Sequence, residues 1–149
     1  MSSPLRLASS PKIPPRATIL FADDDPDTCE MMKILLAFDG FEVVIARDGL
    51  SALELARQTV PKLILIDLEL PKLNGLGVVK SLKRDRRFKE IPIVMISGHS
   101  PTRFGQAALD AGCEEYLFKP FDFGHLHELL DSVKPAVFAK PARRRHAAA

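Results

Sequence analysis

Acidic, hydroxyl and ammonium side chains recur at one kind of place in this chain, directly after a short apolar run. Asp23, Asp24 and Asp25 follow Ile19-Leu20-Phe21-Ala22, and Asp67 follows Leu63-Ile64-Leu65-Ile66. Ser97 closes Ile93-Val94-Met95-Ile96, and Lys119 follows Glu115-Tyr116-Leu117-Phe118. Carboxylates gathered in one crevice repel one another, so either their pKa values rise or a cation neutralises them. A set of oxygen ligands suits Mg2+, which keeps several waters and commonly bridges to a phosphate. With such an ion present, one aspartate is free to attack a phosphoryl group and form an aspartyl-phosphate. The transferring oxygens then need positive charge and hydrogen-bond donors in line, which Lys119 and Ser97 supply.

Taken singly these residues have plainer readings. Asp25 reads as a helix cap ahead of Pro26, Ser97 as a satisfied hydroxyl and Lys119 as a solvated charge. Their shared placement carries the functional reading, because the carboxyl ends of parallel strands lie along one edge, where ligands bind.

The positioning elements follow from periodicity. Strands are predicted at Thr18–Ala22, Phe41–Ile45, the run ending at Asp67, the run after Pro92 and Glu115–Phe118. Between them, Met31, Ile34, Leu35 and Phe38 recur at helical spacing, and Ala52, Leu53 and Ala56 mark the second helix. Val78, Val79 and Leu82 form one side of the third, with Lys80, Lys83, Arg84 and Arg86 largely on the other, as a solvated face. Phe104, Ala107, Ala108 and Ala111 mark the fourth, and Leu126, Leu129, Leu130 and Val133 the last, capped by Asp122. Short apolar strands alternating with helices predict right-handed crossovers and an α/β, doubly wound, five-stranded parallel sheet of order 2-1-3-4-5. The switch point then falls between strands 1 and 3 and brings Asp23, Asp24 and Asp67 together.

At 149 residues with 46% hydrophobic content, one domain with one sizeable core is expected. Residues 1–16, rich in Pro and Ser, and residues 135–149, ending in a basic and Ala-rich run, read as disordered flanks of a domain at 17–134. The net charge of +2 is small and inflated by basic ends, so it points to no nucleic-acid surface, and DNA is not an expected partner. Arg143-Arg144-Arg145 reads as part of the disordered tail, with no room for a helix-turn-helix after residue 134. No apolar run is long enough to span a bilayer and no secretory h-region opens the chain, so no membrane insertion and a cytoplasmic location are expected. Cys29 and Cys113, read as lying in helical segments, lack metal or redox spacing and are expected to be buried thiols.

Jointly, Asp23-Asp24-Asp25-Pro26, Asp67 with Pro71 and Gly75 in D-x-x-x-P-x-x-x-G spacing, Ile96-Ser97 and Lys119-Pro120-Phe121 are highly specific. On these residues, over positions 17–134, the chain resembles the response-regulator receiver domains of two-component signalling, the CheY-like family with its flavodoxin-like fold. The resemblance implies that Asp67 accepts phosphate from a sensor histidine kinase or a histidine phosphotransfer protein. It implies that Asp24 holds Mg2+ directly, Asp23 through water, and that Asp67 and the backbone carbonyl of Glu69 complete the ligands. It gives Ser97 a phosphoryl oxygen to bond, Lys119 the phosphate to pair with, and Lys119-Pro120 a cis peptide. Tyr116 falls at the aromatic switch position, ready to fill space that Ser97 vacates. Downstream proteins are expected on the face of the fourth helix, fifth strand and last helix, and phosphorylation-dependent dimerisation stays open.

The chain departs from the family's commoner pattern in having Ser97 for threonine and Gly98 for alanine, while Glu69 and His99 occupy variable positions that influence phosphoryl lifetime. The expected function is a stand-alone receiver that turns over no separate substrate and assists only its own phosphotransfer and autodephosphorylation. Two alternatives are a phosphate-independent receiver-like module and a haloacid-dehalogenase-type phosphatase with Asp23 as nucleophile and Asp25 as general acid. The latter fails the D-x-D-x-T/V pattern at Asp27 and leaves Asp67 idle.

Overall fold

The computed structural model describes residues 17–138. Strands β1 (Thr18–Ala22), β2 (Glu42–Ala46), β3 (Leu63–Asp67), β4 (Ile93–Ser97) and β5 (Glu115–Phe118) alternate with helices α1 (Pro26–Phe38), α2 (Gly49–Thr59), α3 (Gly75–Lys83), α4 (Pro101–Ala111) and α5 (Phe123–Phe138). A short 3-10 turn at Arg86–Phe88 precedes β4. The strands form one parallel sheet in the order β2-β1-β3-β4-β5.

Side chains alternate across a strand, so each strand feeds two cores. Leu20, Ile64, Ile66 and Met95 pack with Ala52 and Ala56 of α2, Val78, Val79 and Leu82 of α3, and Ala108 of α4. Ile19, Phe21, Leu63, Leu65, Val94 and Ile96 face the other way, onto Cys29, Met32 and Leu36 of α1 and Leu126, Leu129 and Leu130 of α5. With both faces covered, β3 and β4 are buried along their whole length, which is why they read as continuous apolar runs.

Helix entries are set locally. Asp25, Asp48, Asn74 and Ser100 are extended N-caps whose side chains accept backbone N–H groups of the first turn. At the exit of α4, Gly112 turns left-handed at φ +119°.

Several expectations need correction. The buried face of α1 is Cys29, Met32 and Leu36, while Met31, Ile34 and Phe38 are exposed. Both sets have helical spacing; the cap at Asp25 and the Cys29 thiol, 3.1 Å from the Asp23 carbonyl, fix which one turns inward. On α4, Gly105 is buried and Ala107 exposed. Strand β2 starts at Glu42, because Phe41 is the turn residue whose side chain closes the core under α1. Cys113 lies in the α4–β5 connection, where burial pushes its thiol up to about 12. Helix α5 extends to Phe138. The arm at 1–16 and the tail from 139, with Arg143–Arg145, lie outside the described residues.

Lys83 is the largest departure. Its ammonium is not on a solvated face but donates to the carbonyls of Phe88 (2.8 Å), Ile91 (2.9 Å) and Lys89 (3.3 Å). It thereby satisfies the backbone acceptors of the turn that delivers the chain into β4.

Candidate functional site

Strands β1 and β3 are neighbours, but α1 leaves toward one core and α3 toward the other. The loops therefore diverge and open a crevice at their carboxyl ends. Ala22 is in register with Ile66, and Asp67 with Ile96, so the residues after β1 and at the ends of β3 and β4 reach the same level. One carboxylate oxygen from each of Asp23, Asp24 and Asp67 can be chosen so that all lie within 4.8 Å of one another. Three hard oxygen donors at this spacing fit Mg2+.

Lys119, delivered by β5, completes the cluster. Its Nζ donates to Asp67 Oδ2 at 3.0 Å and to Asp23 Oδ2 at 3.3 Å. The other oxygens are fixed by backbone: Asp67 Oδ1 accepts from the Glu69 N–H and Asp23 Oδ1 from the Asp25 N–H, both at 3.0 Å. Burial raises the pKa of Asp67, with Asp23 adding to the effect, against the bonds from Glu69 and Lys119. Burial works against the Lys119 ammonium too, but its bond to Asp67 and the charges of Asp67 and Asp23 hold its pKa above the ordinary value.

The loop after Asp67 is held by close backbone approaches. Gly75 N–H donates to the Leu68 carbonyl at 2.8 Å, and a Cβ at Gly75 would lie 2.5 Å from the Asp67 carbonyl oxygen. Gly49 N–H donates to the Pro71 carbonyl at 3.0 Å, and a Cβ there would strike the Leu73 carbonyl. The glycine after Pro71 and the one opening α2 are thus demanded by space.

Ser97 is fully buried, its Oγ accepting from the His99 N–H at 2.9 Å. The Lys119-Pro120 peptide is cis, as expected. Tyr116 is half-buried against the core, and its hydroxyl donates to the His99 carbonyl at 2.7 Å. Asp25 is a cap, its carboxylate taken by Thr28, and Asp24 projects into solvent with its carbonyl near Arg47.

Two features were not read from the sequence. The Glu69 carboxylate pairs with His99 Nε2 across the mouth of the crevice, and the His99 ring meets Phe104 edge-on at 5.0 Å. Residues 30 positions apart at strand ends give no periodic signal of such a pair. Beside the carboxylates lies an apolar hollow of about 480 Å³ walled by Thr28, Met31, Ile96, Pro120 and Phe121. No local signal in the sequence marks it, because its walls come from α1, β4 and the segment after β5.

Residues 19–131 match the family model described as the response regulator receiver domain. The chain is 38% identical over 116 residues to the DNA-binding dual master transcriptional regulator RpaA of Synechocystis, covering 78% of this chain but 47% of that protein. It is 31% identical to the polar-differentiation response regulator DivK of Brucella ovis, covering 77% of this chain and 94% of that protein. Among solved structures, the receiver domain of the sensor histidine kinase PA1611 from Pseudomonas aeruginosa, which has magnesium coordinated in its active-site cleft, superposes with a TM-score of 0.73 at 25% identity. That match covers 79% of this chain and 97% of that one. The chain thus spans about half the length of its DNA-binding relatives and nearly the whole of DivK.

Proposed function

Because the chain belongs to the response regulator receiver family of two-component signalling, we propose that Asp67 accepts a phosphoryl group from the phosphohistidine of a sensor kinase or histidine phosphotransfer protein. The transfer depends on Mg2+ and changes which protein the domain binds. The observation that carries this reading is the convergence of Asp23, Asp24, Asp67 and Lys119 at the switch point of the sheet.

Asp67 Oδ attacks phosphorus, the phosphorus–nitrogen bond breaks, and the leaving imidazole takes up a proton. Asp23, Asp24, Asp67 and the Glu69 carbonyl would hold Mg2+, which when bound neutralises the carboxylates and the phosphoryl oxygens. Lys119, already on Asp67, then pairs with the phosphoryl group, and the Ser97 hydroxyl turns from the His99 N–H to a phosphoryl oxygen. Burial of Asp67 keeps it from being a merely solvated carboxylate, and the hollow walled by Met31 and Phe121 gives the donor's side chains a seat beside it. The modification adds roughly −1.5 to −2 of charge at pH 7. That charge draws on the loop carrying Ser97 and His99 and so biases the α4–β5–α5 face toward one binding arrangement. The chain acts in the cytoplasm through protein partners and hydrolyses only its own aspartyl-phosphate.

A second reading has one observation in its favour. Tyr116 is bonded to the His99 carbonyl, an arrangement that a module binding partners without phosphate would present.

Intact-mass spectrometry after incubation with acetyl phosphate, with and without Mg2+, separates these readings. The expected result is a Mg2+-dependent phosphate adduct that disappears in Asp67→Asn. No adduct even at short times supports the phosphate-independent module, and an adduct that survives Asp67→Asn but needs Asp23 supports a phosphatase.

A further inference from the structure

Charge in the described residues is unevenly distributed. Residues 80–90 carry six cations, Lys80, Lys83, Arg84, Arg86, Arg87 and Lys89, against Asp85 and Glu90, a net +4; elsewhere in residues 17–138, eight cations stand against seventeen anions, a net −9. One basic patch therefore lies on an acidic body.

Two of those cations have internal work. Lys83 caps three carbonyls, and Arg87 is paired with Asp85 at 2.9 Å. Lys80, Arg84, Arg86 and Lys89 are exposed, and no ion pair engages them among the described residues. The helix dipole accounts for cations in the last turn of α3, but Arg86 and Lys89 lie beyond it. Lys80 and Arg84, four apart, repel at a cost to the helix rather than a gain. Next to them a groove of about 430 Å³ runs between α3 and α4, with Lys80 and Arg84 on one wall and the apolar Ala107 and Ala111 on the other. Its one carboxylate, Asp110, accepts from the Gln106 amide at 2.9 Å.

We propose that this face, the end of α3, the following 3-10 turn and the groove against α4, binds an acidic segment of a partner protein that sets an apolar side chain into the groove. Magnitudes favour a short acidic segment over nucleic acid. A long polyanion laid on four cations would continue across a body of net −9 within a screening length of about 8–10 Å, whereas a short acidic segment matches the patch and stops.

The test is fluorescence anisotropy of the full chain with a labelled peptide of repeated Glu-Glu-Leu triplets and, separately, a labelled DNA duplex, at low and physiological salt. The variants are K80E/R84E/R86E/K89E and, as a control for the basic tail, R143S/R144S/R145S. The expected result is salt-sensitive peptide binding weakened about tenfold or more in the patch variant, unchanged in the tail variant and stronger than duplex binding. Circular dichroism checks the patch variant; if it misfolds, R86S/K89S, beyond the helix, replaces it with a smaller loss expected. Absent peptide binding, binding lost only with the tail, or duplex binding lost with the patch would each overturn the proposal.

Discussion

The Tyr116 hydroxyl donates to the backbone carbonyl of His99 at 2.7 Å. His99 in turn donates its N–H to Ser97 Oγ and pairs through its ring with Glu69. One residue thus joins the candidate phosphate-sensing hydroxyl, the aromatic ring and the loop after Asp67. The sequence holds one Tyr and no Trp, so tyrosine emission reports this ring alone. Acrylamide quenching is expected to be weak in the resting protein and to change little on addition of acetyl phosphate and Mg2+. A large fall in quenching on phosphorylation would mean that the ring starts outside.

Metal-free stability should carry the mark of Asp67. Its pKa is raised in the folded chain, chiefly by burial, so folding favours the protonated form. The stability it contributes is fully present below the ordinary value of 3.8 and is lost as pH rises through the higher folded value. In EDTA, Asp67→Asn should therefore melt above wild type at pH 7, and the gap should close on acidification toward pH 3.8. An equal gap at both pH values would contradict this.

Spacing around the phosphoacceptor loop predicts a contrast between two glycines. A Cβ at Gly75 meets the Asp67 carbonyl at 2.5 Å, whereas one at Gly98 meets nothing within 4 Å. Gly75→Ala should slow phosphorylation by acetyl phosphate about tenfold or more by displacing Asp67, while Gly98→Ala should fold with wild-type stability to within about 0.5 kcal/mol. Rates from intact mass and urea melts of both variants decide it.

Lys83→Met keeps the stem and removes the ammonium that serves Phe88, Lys89 and Ile91. Removing this donor from the part-buried carbonyls of Phe88 and Ile91 should cost about 1–3 kcal/mol in urea denaturation. Lys80→Met, on the exposed side of the same helix, should cost under about 0.5 kcal/mol.

Val60 ends α2 in the left-handed region, at φ +42°. That conformation costs an L-residue roughly 1–2 kcal/mol, against roughly 0.5–1 kcal/mol of extra chain entropy for glycine. Val60→Gly should stabilise the chain by about 0.5–1 kcal/mol, read as a higher urea midpoint at unchanged slope.

The chain by itself determined the elements, their order in the sheet and the residues that meet at its edge. Its signals for these are local: apolar runs of strand length, caps such as Asp25 and Asp48, and a polar residue at each strand end. Parallel connectivity then forces Asp23, Asp24, Asp67, Ser97 and Lys119 to one side. What only tertiary structure decided is rotation and pairing. Helix α1 is apolar nearly all round, so spacing alone cannot say that Cys29, Met32 and Leu36 turn inward while Met31, Ile34 and Phe38 stay exposed. A lysine in an amphipathic helix reads as solvated until the 3-10 turn folds back and offers Lys83 its carbonyls. The Glu69–His99 pair and the Tyr116–His99 bond arise between strand ends far apart in sequence. Periodicity reports how a residue relates to its own element; contacts between elements depend on how those elements are turned against one another.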